Sequence, residues 1–164
     1  MKATQAVIII LLLANLGATI WFGTDNDIVP AQNQFEKAAQ HELPPIITKS
    51  VRKKIYQDFA VSFNSANYDG IYNLFGSGAK AQFSKDEAYS EFRKLNKYFH
   101  SVEDGAYTHS ELAGAQGNTN YYMLYYAVKL SEKSEFATKG TLKITIAVQG
   151  SDYQIYGIRL NAGN

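Results

Sequence analysis

The chain has 164 residues, with 16 basic against 15 acidic side chains and no cysteine. That length supports one domain with a proper core, not two beside a membrane segment. The charge balance creates no global field toward nucleic acid, and the lack of cysteine removes disulfides, thiolate metal sites, cysteine nucleophiles and cysteine lipidation.

Residues 6–22 (AVIIILLLANLGATIWF) form an uncharged apolar run after Lys2 and before Asp25 and Asp27. Basic before and acidic after favours an inside amino terminus and export of the rest. A spanning helix needs roughly 17 to 25 apolar residues, so the run is at the short end. Trp21 and Phe22 suit an outer interface. A cleaved signal peptide wants small residues at both specificity positions; Ala18 offers one, but Leu16 occupies the other. Two outcomes stay open for 1–23: an uncleaved signal anchor, or a removed signal peptide. Residues 24–45, polar and broken by Pro30, Pro44 and Pro45, read as a linker with room for a short helix around 32–42. His41 is expected to be solvated there.

The domain itself is expected over 46–164. Ile47, Val51, Ile55, Phe59 and Phe63 recur at i+4, which predicts an amphipathic helix over about 46–66. Its basic run, Arg52 to Lys54, is shorter than a polybasic lipid-binding cluster and reads as a solvated face. Residues 67–75 predict a short second helix with Tyr68, Ile71, Tyr72 and Phe75 on one side. Gly76-Ser77-Gly78 reads as its stop, since no strand precedes it and no Gly-Lys-Ser/Thr follows to make a phosphate loop. Ser84-Lys85-Asp86-Glu87 is a capping box, opening a third helix over about 84–100 with Ala88, Phe92, Leu95 and Phe99 as its buried stripe.

From Gly105 the period changes to two. Strands are predicted at 107–112, 120–130, 140–149 and 153–160, with a turn at 113–118. Leu142, Ile144, Ile146 and Val148 share one face of the third strand. Short connections make neighbours antiparallel. The expected fold class is α+β: three helices packed on one face of a four-stranded antiparallel sheet, preceded by an N-terminal apolar helix.

This layout, with Tyr68, Asp69 and Tyr72 in the second helix and Tyr153, Ile155 and Gly157 in the last strand, resembles the NTF2-like (cystatin-like) superfamily over roughly 46–161. More narrowly, it resembles small exported bacterial domains of that superfamily with no assigned activity. The resemblance implies a curved sheet and a cone-shaped domain with an inner pocket, often dimerising through the outer sheet face. It also implies a bacterial envelope, with the domain held at the inner membrane through 6–22 or released to the periplasm.

Enzymes of that superfamily, the ketosteroid isomerases and polyketide cyclases, use a pocket Asp or His as proton acceptor. No residue-by-residue match to their pattern is present. Asp58 lies off the apolar stripe of its helix, and Asp69 at a helix start is explained by the dipole. Tyr107, His109 and Glu111 alternate along one strand, which reads either as a donor, a base and an orienter or as a solvated face near a sheet edge. His100 suits the negative pole of the third helix. With no His-Glu-x-x-His and no Gly-x-Ser-x-Gly elbow, no metal, cofactor or catalytic residue is expected.

The tyrosines, 12 against 9 Phe, carry more. If Tyr122, Leu124, Tyr126, Val128 and Leu130 face the helices, then Tyr121, Met123 and Tyr125 form an outward patch for a protein partner or a second copy. The other reading is ordinary cross-strand pairing. Phe59, Tyr72, Tyr126 and Tyr156 are candidates to line an inner pocket, or simple core. The expected function is a non-catalytic envelope binding or assembly domain for a protein or apolar ligand, with an acid–base enzyme as the alternative.

Overall fold

The structure is a computed structural model, and it describes residues 42–163. The apolar run at 6–22 and the linker up to His41 lie outside the described residues. Among those described, no helix is long and apolar enough to cross a membrane.

Helix α1 (Lys49–Asn64) starts where Thr48 accepts a hydrogen bond from the Val51 amide at 3.2 Å. It buries Ile55, Phe59, Ala60 and Phe63. The helix begins later than the periodicity suggested because Pro44-Pro45 sets a turn, closed by the Ile47 amide on the Pro44 carbonyl at 2.8 Å. Ile47 still enters the core from that turn.

Asn67 caps α2 (Tyr68–Leu74), its side chain accepting from the Gly70 amide at 2.8 Å. The glycine run that follows does more than stop a helix. Phe75 bridges Ile155 in parallel, the Gly76 amide donates to the Ile155 carbonyl at 2.9 Å, and a further short helix, α3 (Ser77–Lys80), begins there. A Cβ on Gly76 would run into the Gln154 side chain, so glycine permits the close approach to the sheet.

Helix α4 (Lys85–Phe99) carries the expected capping box, with the Ser84 amide on Glu87 Oε2 at 2.8 Å and the Glu87 amide on Ser84 Oγ at 3.2 Å. It buries Ala88, Phe92, Leu95 and Phe99. Two asparagines stitch α1 to the sheet and to α4. Asn64 donates to the Val102 carbonyl at 2.9 Å and accepts from the Val102 amide at 2.8 Å, while Asn96 donates to the Phe63 carbonyl at 3.0 Å.

Strands β1 (Val102–Gln116), β2 (Thr119–Leu130), β3 (Lys139–Gln149) and β4 (Asp152–Ala162) form one antiparallel sheet in that order. The α+β layout therefore holds, with four helices rather than three among the described residues. Strand β1 is much longer than 107–112. Its ladder with β2 skips Glu103, Thr108 and Ala113. Each bulge resets the in–out alternation, so no single period of two runs through the strand. The turn into β2 tightens to Gly117-Asn118, with Gly117 at φ 56° supplying the left-handed first position of a two-residue hairpin.

The inner sheet face presents Leu124, Tyr126, Leu130, Leu142, Ile144, Ile146 and Leu160 to Phe59, Phe63 and Phe92, all in one buried cluster. The period-two reading of β2 and β3 is thus met in three dimensions.

Candidate functional site

The other face of the sheet carries Tyr121, Met123 and Tyr125, each half-buried. The register lines up His109, Tyr125, Lys143 and Arg159 as successive partners across all four strands. The His109 ring stacks on Tyr125 with centroids 4.2 Å apart and planes 12° from parallel. Tyr125 donates its hydroxyl to Glu111 Oε2 at 2.5 Å, and the Lys143 ammonium lies 4.8 Å from the centre of the Tyr125 ring. Burial first, and then the Glu111 bond, push the Tyr125 phenol up to about 12.

Tyr121 meets Tyr156 edge to face at 5.1 Å. Tyr156 occupies the β4 bulge, where the ladder passes from Ile155 to Gly157, and its hydroxyl accepts from Gln82. That bulge decides where Arg159 points. Simple alternation from the buried Ile155 would send Arg159 inward; the extra residue sends Ile158 and Leu160 inward and places Arg159 opposite Lys143.

The cations of this face differ in their partners. Lys129 is bound to Glu103 at 2.8 Å. Neither Lys143 nor Arg159 takes part in an ion pair among the described residues, and Arg159 Nε and Asn161 Oδ1 are buried without a hydrogen-bond partner there.

A recess of about 310 Å³ opens beside the β1 edge, lined by Glu42, Leu43, Arg52 and the β1 residues from Tyr107 to Ser110. The Arg52 guanidinium lies 4.2 Å over the Tyr107 ring, and the Arg52 carbonyl accepts from the Tyr126 hydroxyl at 2.9 Å. The Thr108 bulge separates the alternating trio. Tyr107 turns inward against Tyr126, with ring centroids 5.8 Å apart, while His109 and Glu111 turn outward. Thr108 donates its hydroxyl proton to the Tyr125 carbonyl at 3.1 Å, so its oxygen accepts from His109 Nδ1 at 3.0 Å. His109 Nε2 then lies 3.6 Å from Glu111 Oε1, too long for a hydrogen bond.

The four residues expected to line one inner pocket lie apart. Phe59 and Tyr126 are fully buried core. Tyr72 packs on Phe83 and Tyr89 with the Lys80 ammonium over its ring, and Tyr156, at the β4 bulge, packs at the margin of the core near Gly78 of α3 while meeting Tyr121. The acids singled out in the helices are engaged: Asp58 with Lys54 and Asp69 with Lys85, each at 2.7 Å. The Lys85 ammonium holds the Asp69 carboxyl below the usual carboxylate range. His100 caps α4 through its amide on the Asn96 carbonyl. Among the described residues, no group of three or more His, Asp or Glu side chains is placed to hold a metal.

Sequence reasoning did not single out Lys143 and Arg159 as a pair. The usable signal was the odd spacing of Ile155 and Ile158, which betrays the bulge that brings them face to face. No protein-family model matches this chain, and none of the curated proteins compared with it is similar enough to count as a relative.

Proposed function

We propose that the chain is a non-catalytic binding or assembly module of the bacterial envelope, built on an NTF2-like domain. Residues 6–22 hold it at the inner membrane or direct its export. It engages a protein partner, or a second copy of itself, through the outer face of its sheet. The observation that carries this reading is the half-buried row of Tyr121, Met123 and Tyr125 on the face opposite the core, with Tyr125 stacked on His109 and Tyr121 set edge to face against Tyr156. Preordered aromatics lose little conformational entropy when covered, and rings of this kind dominate interface energetics.

The test uses the full-length chain in nonionic detergent. Association with itself or with its co-purifying neighbour is measured by sedimentation for wild type and for Tyr121→Ala with Tyr125→Ala. Loss of association with an unchanged far-ultraviolet spectrum is expected. Association that persists in the folded double variant overturns the assignment of this face.

A further inference from the structure

The outer sheet face opposes two positive charges directly, Lys143 on β3 and Arg159 on β4. Like charges at directly opposed positions of an antiparallel pair destabilise the sheet, and a buried guanidinium nitrogen without a partner adds a desolvation cost. Among the described residues, no carboxylate pairs with either cation and Arg159 Nε has no hydrogen-bond partner. Glu111, on the same face of the sheet, is already bonded to Tyr125 and approached by His109, and Glu103 is taken by Lys129. The Lys143 ammonium is held over the Tyr125 ring instead of reaching for a carboxylate. Two half-buried cations are therefore positioned opposite one another, without a counterion among the described residues, beside Tyr125 and the small residues Thr145 and Gly157.

We propose that this face docks an acidic segment of a partner protein, with carboxylates of that segment seated on Lys143 and Arg159 and its apolar side chains on the flanking Tyr121, Met123 and Tyr156. The proposal rests on the reading of the outer face as the partner surface and adds the chemistry of what covers it. A carboxylate spanning the two cations supplies the missing counterion, and the planar guanidinium favours a carboxylate held by paired hydrogen bonds. Charge complementarity of this kind sets which partner is accepted and in what register.

The surroundings select a protein over the other anionic surfaces. Even with Lys139 at the start of β3, the patch falls short of the roughly four to eight clustered cations that read as a lipid-binding site. A chain of net charge +1 lacks the basic field of a nucleic-acid binder. Aromatic rings around a small charged centre are what a protein interface offers.

The experiment uses full-length, isotope-labelled chain in nonionic detergent micelles. It is titrated with a synthetic peptide of alternating Glu and Val and with the matching Lys and Val peptide, following backbone amide resonances. Shifts clustered at Tyr125, Lys143 and Arg159 with the Glu peptide and absent with the Lys peptide are expected. Lys143→Gln combined with Arg159→Gln should weaken the response about tenfold. The most diagnostic variant is Lys143→Glu. It gives Arg159 an internal counterion, so it should raise the melting temperature while abolishing peptide binding, whereas a merely structural lysine would lower stability when reversed.

Equal response to both peptides, no localised shifts, unchanged affinity in the double Gln variant, or a stronger response to anionic vesicles or single-stranded DNA than to the Glu peptide each overturns the proposal. Failure here separates from failure of the interface reading. If association is lost in Tyr121→Ala with Tyr125→Ala but indifferent to Lys143 and Arg159, the surface stands and its acidic partner falls. If neither pair of variants alters association, both fall.

Discussion

Tyr125 concentrates the chemistry of the outer face in one side chain: a ring stacked by His109, a hydroxyl given to Glu111 and a π-face under Lys143. Its phenol is raised from 10.0 to about 12, so the folded state prefers the neutral form more strongly than the unfolded chain does. The stabilisation from this preference is complete below about pH 10 and is lost as the pH climbs toward 12. Alkaline titration of the Tyr125 ring by NMR should show late ionisation. Glu111→Gln should advance it only in part, because burial is the larger cause. A Tyr125 that titrates with the exposed tyrosines would contradict the hydrogen bond. His109 illustrates what single residues conceal. Its place beside Tyr107 and Glu111 was readable as a trio, but the bulged Thr108 between them divides the trio over two faces and its hydroxyl oxygen engages Nδ1.

At the scale of elements, the three expected helices followed their local signals, whereas the short α3 and the first strand did not. Thr48, Asn67 and Ser84 were all in place to cap, and the capping box formed as its four residues specify. Strand β1 was read at less than half its span because Glu103, Thr108 and Ala113 each break the alternation that identifies a strand. The junctions between elements are held by side chains no periodicity marks. Asn64 makes two part-buried bonds to the Val102 backbone, acting as a short extra rung at the start of the sheet. At about 1 kcal/mol for each such bond, Asn64→Ala should cost roughly 2 kcal/mol, read as a lowered denaturation midpoint at unchanged slope. Asn64→Asp, which keeps the acceptor alone, should recover part of that loss. An Asn64→Ala protein as stable as wild type would show that these bonds are replaced by water without penalty.

For the whole molecule, one core joins the inner sheet face to α1, α2 and α4. Phe63 lies at its centre, with no exposed surface and its ring stacked on Phe59 at 5.4 Å. Phe63→Ala should cost about 4 kcal/mol through lost contacts and the cavity left behind. Against a typical total of about 5 to 15 kcal/mol, that brings the domain close to unfolding in mild denaturant. A small effect would mean that the helical layer collapses to fill the space.

The periodicities and caps by themselves determined that helices precede a four-stranded meander and which face of β3 is apolar, because each of those signals is complete within one short stretch of chain. Strand β2, apolar on both faces, took its buried side from the packing of the helices. The grouping of Phe59, Tyr72, Tyr126 and Tyr156 was not determined that way, since ring neighbours come from packing between distant elements. Only the tertiary structure decided that Tyr156 sits at the core margin against Tyr121 and that Arg159 confronts Lys143. Both follow from a single inserted residue in the β3–β4 ladder, and a bulge becomes visible only when one strand is laid against its partner.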